Sequence, residues 1–143
     1  MTNSIAATAP RTLVVERDLA HPPAKVWRAL TQSALLADWL MSNDFAPSVG
    51  HKFNFRSTPM PQWNGVIDCE VLAIEPEKLV SYSWSALGLD TVVTFTLAPS
   101  AAGTHLRMEQ SGFGSEEDNN YRGATYGWQR FVGNLEQLLA RPD

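Results

Sequence analysis

The sequence predicts an α+β fold in which a curved antiparallel sheet of about six strands packs around one long C-terminal helix. Two observations lead to this prediction. Apolar and polar residues alternate over about sixty residues after Gly50, which is typical of half-buried strands. Near the end of the chain, apolar residues recur instead every three or four positions, which is typical of an amphipathic helix. Because the sheet must bury its apolar face, this helix is its partner.

One strand and two short helices precede the alternating region. Residues 13–19, LVVERDL, are rich in β-branched side chains and predict the first strand. Pro22 and Pro23 open the segment AKVWRALT, where proline suits the first turn of a helix. Ser33 is a suitable N-cap for a second helix, ALLADWL. Residues 1–11 carry no periodic pattern, and we interpret them as a disordered tail.

The alternating region contains five further strands that form an antiparallel meander. Turn signals rich in Pro and Gly separate them. The five segments begin at His51, Gly65, Lys78, Asp90 and Thr104. With the first strand they make the predicted sheet.

The last helix is predicted over about residues 115–140. Ser115, with Asp118 three positions later, resembles a capping box. Three glycines lie inside this helix, and each costs about 1 kcal/mol relative to alanine. They are Gly123, Gly127 and Gly133. A cost of this size suggests that there is a reason for residues without a side chain at these positions.

The composition is that of one acidic domain. We interpret residues 1–143 as a single domain, because the length suits one core and no change of composition divides it. Eleven Lys and Arg against fifteen Asp and Glu give a net charge of -4, which gives no support to binding of nucleic acid or of an anionic membrane. The single Cys69 excludes an intrachain disulfide. No apolar run reaches the ~18 residues of a membrane span. These features favour a cytoplasmic protein.

Four stretches of the chain resemble a known superfamily. They are Arg17 with LAHPPAKVWRALTQSALLADWL, then EVLAIEPEKLVSYSW, TFTLAPSAAGTHLRMEQSGF and GWQRFVGNLEQLL. In this order they resemble the SRPBCC (START-type) superfamily, in the branch of the activator of the ninety-kilodalton heat-shock protein ATPase. The resemblance implies the helix-grip fold, also called birch-pollen-allergen-like, with a hydrophobic cavity under the last helix. It also implies a small apolar ligand, such as a lipid or polyketide. Members often have His where this chain has Gln110.

Metal and cofactor chemistry find no support in the sequence. His21, His51 and His105 lie far apart and have no nearby Cys, Asp or Glu at metal-ligand spacing. Cys69 shares a strand face with apolar residues, which favours an inert buried thiol. We therefore predict no metal, no cofactor and no catalytic residues.

Aromatic residues supply most of the predicted cavity, since 10% of the chain is aromatic and five residues are Trp. Arg17 shares the apolar face of the first strand, so it must reach water, pair with a carboxylate or contact a polar group of a ligand. A bulge or a structural ion pair is the alternative to the ligand contact. Gln110 points inward, where its amide bonds either backbone or ligand. The predicted cavity residues are Arg17, Phe53, Phe55, Trp84, Phe95, Met108, Gln110, Tyr121, Thr125 and Trp128.

Three functions remain open. The first is binding or sequestering of a small hydrophobic molecule by a monomer or homodimer. The second is an enzyme, such as a cyclase, isomerase or hydrolase, with Arg17, Gln110 or Tyr121 as polar contacts. The third is a protein-interaction module with a chaperone partner.

Overall fold

The computed structural model describes residues 11–61, 63–114 and 118–141. It confirms the predicted α+β helix-grip fold. Its elements, in chain order, are β1 (Arg11–Leu19), α1 (Pro23–Thr31), α2 (Ser33–Trp39), β2 (Ser42–Asn43), β3 (Lys52–Arg56), β4 (Val66–Glu75), β5 (Leu79–Ala86), β6 (Leu89–Pro99), β7 (Thr104–Phe113) and α3 (Asp118–Leu139).

The sheet has seven antiparallel strands in the order β1-β7-β6-β5-β4-β3-β2. The predicted meander is confirmed for β3 to β7, and β1 returns to pair with β7. The strand missing from the prediction is β2, whose two residues pair with Arg56 and Phe55 of β3. Two residues are too few to show any periodicity, so the pattern of the sequence could not reveal this strand.

Two predicted boundaries change in the structure. β1 begins at Arg11, which pairs with Phe113 of β7, so Arg11 does not belong to a disordered tail. The remainder of that tail lies outside the described residues. α3 is described from Asp118 to Leu139, and the capping box at Ser115 also lies outside the described part of the chain.

Ser33 is not the N-cap of α2, contrary to the sequence prediction. It is the first helical residue, and Gln32 occupies the N-cap without a side-chain hydrogen bond. The Ser33 hydroxyl instead donates to Oδ1 of Asn43 at 2.8 Å. The Asn43 amide nitrogen donates in turn to the backbone carbonyl of Met41 at 2.9 Å. Asn43 thereby fixes the turn that leads from α2 into β2.

α3 packs into the main core chiefly along its C-terminal half. Val132, Leu135 and Leu139 are at most 2% exposed and lie in the main core. α1 and α2 close this end of the sheet, and the Trp39 indole donates to the carbonyl of Ala29 at 2.8 Å. Because the two short helices cover this end, the N-terminal half of α3 faces the opposite end of the sheet. No helix within the described residues is long and apolar enough to cross a membrane.

Candidate ligand cavity

A cavity of about 390 Å³ lies between the N-terminal half of α3 and the end of the sheet formed by β4, β5 and β6. Its volume is within the range of small-molecule sites in proteins. Most of the residues that line it are apolar or aromatic. They are Met41, Ser57, Trp63, Ile67, Trp84, Ala86, Leu87, Leu89, Thr91, Gln110, Phe113, Gly123, Ala124, Gly127, Trp128 and Phe131.

Two glycines on one face of α3 keep this space open. Gly123 and Gly127 are four residues apart, so they lie one above the other on the helix, and both line the cavity. A Cβ atom built on either residue would have no other atom within 4 Å. The glycines are therefore not required by a close approach of the sheet. Gly123 is exposed, whereas Gly127 is half-buried, so the missing side chain of Gly127 leaves volume between the helix and the sheet.

Aromatic rings form much of the cavity wall. The indoles of Trp84 on β5 and Trp128 on α3 lie with centroids 5.2 Å apart at an angle of 51°. The ring of Phe131 lies 5.7 Å from Trp128 in an edge contact. Trp63 enters from the loop between β3 and β4, where its Nε1 donates to the carbonyl of Val66 at 3.0 Å. Such a wall offers large flat apolar surfaces to a ligand.

A chain of buried hydrogen bonds joins α3 to three strands at the floor of the cavity. Trp128 Nε1 donates to Oε1 of Gln110 on β7 at 2.8 Å. Gln110 Nε2 donates to Oγ1 of Thr91 on β6 at 2.9 Å. The Thr91 hydroxyl donates to the backbone carbonyl of Trp84 on β5 at 2.8 Å. The two polar side chains of the network, Gln110 and Thr91, are each 3% exposed, so these bonds satisfy groups that water cannot reach.

The lining contains no ionisable side chain within the described residues. Its polar side chains are those of Ser57, Thr91, Gln110 and the indoles. A charged group placed here would lose its hydration without gaining an opposite charge. The cavity therefore suits an uncharged molecule.

The turn between β5 and β6 forms part of the rim. Leu87 and Gly88 have φ angles of +56° and +78°, and they connect the paired residues Ala86 and Leu89. Two successive positive φ values are those of a type I′ hairpin turn, in which Asn or Gly is favoured at the first position. Leu87 is instead a leucine that is 58% exposed and lines the cavity. An apolar side chain is thus held at the rim in an unfavourable backbone conformation.

Three of the ten residues predicted for the cavity line it, namely Trp84, Gln110 and Trp128. Gln110 forms two structural hydrogen bonds, to the side chains of Thr91 and Trp128 rather than to backbone, and it also lines the cavity. The structure brings these residues together because β5, β6 and β7 are adjacent strands and Trp128 lies above them on α3.

Four predicted residues belong to the closed core and do not line the cavity. They are Phe53, Phe55, Phe95 and Met108, each at most 4% exposed. Three of the four contact the ring of Tyr82, which occupies the centre of an aromatic cluster. Alternation places a residue on the inner face of a sheet, but it does not distinguish core from cavity.

The last three predicted residues have local structural contacts outside the lining. Arg17 Nε lies 3.5 Å from Oε1 of Glu136 on α3, so the ion-pair alternative is the one that the structure shows. Tyr121 packs edge to face on Phe113, with centroids 5.5 Å apart. The Thr125 hydroxyl donates to the carbonyl of Tyr121 at 2.8 Å, as is common for Thr within helices.

Several lining residues were absent from the sequence prediction. Met41, Ser57, Trp63 and Leu87 lie in or beside loops, where no periodicity gives a direction to a side chain. The position of Phe131 in the lining could have been predicted, because Phe131 follows Trp128 by three residues and shares its helix face.

Cys69 and His105 lie outside the cavity lining. Cys69 is buried, and desolvation raises the pKa of its thiol far above the usual value, which fits an inert group. His105 is exposed between Asp18 and Glu16. Within the described residues, no cluster of three or more His, Cys, Asp or Glu side chains is arranged to hold a metal ion.

The fold and the site define a helix-grip domain with a pocket, lined mostly by apolar residues, between the last helix and the sheet. The chain belongs to the family of activator of Hsp90 ATPase homolog 1-like proteins, whose family model matches residues 20–140. A search of curated proteins found no match.

Solved structures of similar proteins agree with this assignment. Protein MLL2253 from Mesorhizobium loti is 55% identical, with a TM-score of 0.87, over 93% of this chain and 99% of that one. Protein BH1534 from Bacillus halodurans is 29% identical, with a TM-score of 0.78, over 92% and 99%. DynU16, a protein of the dynemicin biosynthetic locus, is 26% identical, with a TM-score of 0.76. This match covers 90% of the present chain and 46% of DynU16.

Proposed function

We propose that this protein binds a small, uncharged and largely apolar molecule in the cavity between α3 and the sheet. The observation that carries the proposal is Gly127, a half-buried glycine of α3 that lines the cavity. Glycine costs a helix about 1 kcal/mol relative to alanine, and no atom outside the helix backbone lies within 4 Å of a Cβ built at this position. A helix that only covered a core would gain stability from a larger side chain here. Room for a ligand accounts for the glycine.

The chemistry of the lining favours binding over catalysis. General acid–base catalysis needs a titratable side chain within reach of the reacting atoms. The described lining residues include none, and Arg17 and Tyr121, which the sequence offered as polar contacts, lie outside the lining. Gln110 is already engaged by two protein partners. The cavity therefore supports sequestering or carrying a ligand better than transforming it.

One of the similar solved structures supports a small-molecule ligand. DynU16 is described by its place in the dynemicin biosynthetic locus, which associates one relative of this fold with small-molecule biosynthesis. The ligand of the present chain follows from its own cavity, because fold alone does not determine function.

The proposal is tested by titration with the uncharged fluorescent probe N-phenyl-1-naphthylamine. We expect a saturable rise in probe emission, with one probe bound per chain. In Gly127→Leu the new side chain enters the cavity, so the probe should bind at least about tenfold more weakly, equivalent to ~1.4 kcal/mol. The absence of saturable binding by the unaltered protein would refute the proposal.

Gly133→Leu is the matched control for this experiment. Gly133 lies on the same helix and also has no atom within 4 Å of a built Cβ, but it does not line the cavity. Both substitutions raise helix propensity, so neither should lower the unfolding midpoint. Probe binding should be lost in Gly127→Leu and kept in Gly133→Leu. Equal loss in both variants would place the probe elsewhere.

The family description favours a second candidate, which is contact with a chaperone. The chain belongs to a family named for an activator of the Hsp90 ATPase. The discriminating measurement is the ATPase rate of Hsp90 with and without the protein. A saturable increase that persists in Gly127→Leu would support this candidate and would make it independent of the cavity.

A further inference from the structure

We infer that the ligand carries an uncharged oxygen acceptor, such as a ketone carbonyl, and that the amide of Gln110 is the donor that recognises it. This inference rests on the proposed function and adds the chemical class of the ligand. It makes Gln110 a specificity-determining residue as well as a link between helix and sheet.

The orientation of the Gln110 amide follows from its two neighbours. The indole of Trp128 can only donate a hydrogen bond, so the atom that faces it must be the amide oxygen. The amide nitrogen then faces Thr91. The Thr91 hydroxyl has its own proton directed to the carbonyl of Trp84, so its oxygen is free to accept from Gln110. Each bond in this chain fixes the direction of the next.

A count of protons leaves one N–H of Gln110 without an acceptor. The amide nitrogen carries two protons, and among the described residues it has one acceptor, Thr91 Oγ1. Gln110 is 3% exposed, so the second acceptor must come from an occupant of the cavity, which is either water or a bound molecule. A buried donor without a partner is destabilising. Because Gln110 is part of the cavity lining, an acceptor atom on a bound molecule can satisfy this donor.

The surroundings of Gln110 restrict the acceptor. A carboxylate or phosphate would find no cationic side chain among the described lining residues. A carbonyl or ether oxygen needs only the donor. Trp84 also lines the cavity, and its indole carries a second N–H donor. The indoles of Trp84 and Trp128 can flank an aromatic ring next to that oxygen.

Two naphthalenes of equal size test the inference by displacement of N-phenyl-1-naphthylamine. They are 2-acetylnaphthalene, which has a carbonyl, and 2-isopropylnaphthalene, which has a methyl group in its place. With the Gln110 donor, the ketone should bind about 3- to 10-fold more tightly, as expected for one net hydrogen bond. Without a donor, desolvation of the carbonyl should make the ketone the weaker ligand.

Gln110→Met and Gly133→Leu separate the donor from other changes in the protein. Met has nearly the size of Gln and lacks the amide, so the preference for the ketone should vanish or reverse. Gly133 lies on α3 outside the lining, so Gly133→Leu leaves Gln110 and its partners in place and the preference should remain. The ratio of the two affinities within each variant cancels changes in cavity shape.

The outcomes distinguish this inference from the proposed function. Equal affinity of the two naphthalenes for the unaltered protein, or tighter binding of the hydrocarbon, would overturn the role of Gln110 and leave the apolar binding site standing. Retention of the ketone preference in Gln110→Met would also overturn it. Failure of both naphthalenes and of the probe to bind would refute the binding function itself. Since the unaltered protein gives the first result, the test does not depend on the folding of any variant.

Discussion

The indole nitrogen of Trp128 on α3 donates a hydrogen bond of 2.8 Å to the side-chain oxygen of Gln110 on β7. Both residues are 3% exposed, so the bond is shielded from water. It joins the half of α3 that borders the cavity to the floor of the sheet. Hydrophobic packing holds the other half of the helix. The Trp128–Gln110 bond acts together with the ring contacts of Trp128 and Tyr121 to position the first half of α3 above the cavity.

This contact predicts an energetic coupling between the two residues. Trp128→Phe and Gln110→Met should each lower the free energy of unfolding by about 1–3 kcal/mol, because each leaves a buried partner unsatisfied. The double variant should cost less than the sum of the two, since the second substitution removes a group that is already unpaired. Urea denaturation of the four proteins measures the coupling. Trp128→Phe combined with the exposed His105→Gln should be additive, and additivity of the first pair would contradict the bond.

Tyr82 predicts a stabilising substitution. Its hydroxyl is fully buried among aromatic rings and has no hydrogen-bond partner within the described residues. Desolvation raises the pKa of this phenol well above its ordinary value. Tyr82→Phe should increase the free energy of unfolding by about 1 kcal/mol, because it removes an unsatisfied buried group. The control Tyr121→Phe, at a partly exposed ring, should change it by less than about 0.5 kcal/mol. A loss of stability in Tyr82→Phe would reveal a partner for the hydroxyl.

His105 predicts a pH dependence of stability. Its two ring nitrogens lie 2.9 Å from Asp18 and 2.8 Å from Glu16, and both carboxylates accept hydrogen bonds, so the arrangement requires the protonated ring. The hydrogen bonds to Asp18 and then to Glu16 raise the pKa of His105 above its ordinary 6.5. The stabilisation of the folded state by His105 is therefore complete below pH 6.5 on the basic side of its titration, and it is lost as the pH rises through the raised pKa of His105.

Glu16 limits the same contact on the acid side. The hydrogen bond from His105 lowers the pKa of Glu16, so this contribution is lost as the pH falls through that lowered value. The free energy of unfolding should fall less in His105→Gln than in the unaltered protein between about pH 6 and pH 9. Chemical denaturation across this range measures the difference. The control is His21→Gln, at a ring without a described carboxylate partner, and it should keep the pH dependence of the unaltered protein. The same pH dependence of the free energy of unfolding in His105→Gln would contradict the prediction.

The Leu87–Gly88 turn predicts a second stabilising substitution. Leu87 has a φ angle of +56° and a side chain that is 58% exposed. Asn tolerates this conformation better and gives the Asn-Gly pair that type I′ turns favour. Leu87→Asn should therefore raise the free energy of unfolding by about 0.5–1 kcal/mol. Thermal unfolding measures the change, with Leu72→Asn on the exposed part of β4 as a control in which no gain is expected. A lower midpoint in Leu87→Asn would mean that the leucine packs across the rim.

The fold was largely predictable because its main elements have strong periodicities. The apolar stripe of α3 and the alternation from β3 to β7 each extend over many residues, so both patterns are clear without tertiary information. The exceptions are short or local. β2 has two residues, and Ser33 bonds Asn43 instead of capping its own helix. Such contacts depend on which segments meet in three dimensions.

The site was less predictable than the fold for a physical reason. Phe53 and Trp84 both point to the inner face of the sheet, yet one is core and the other is cavity wall. The difference comes from what lies opposite. α1 and α2 fill one end of the sheet, whereas the glycine face of α3 leaves the other end open. The cost of the helix glycines, visible in the sequence, was the signal that pointed to this space.

The order of the strands has a consequence for synthesis of the protein. β1 is the first strand to leave the ribosome, but its neighbour in the sheet is β7, the last strand of the meander. Until β7 emerges, β1 has no partner along its edge, and the inner face of the growing sheet has no helix to cover it. Unpaired edges and exposed apolar faces favour aggregation of nascent chains. The interval between translation of β1 and translation of β7 is therefore the vulnerable period in the life of this protein, and slow translation through the meander would prolong it.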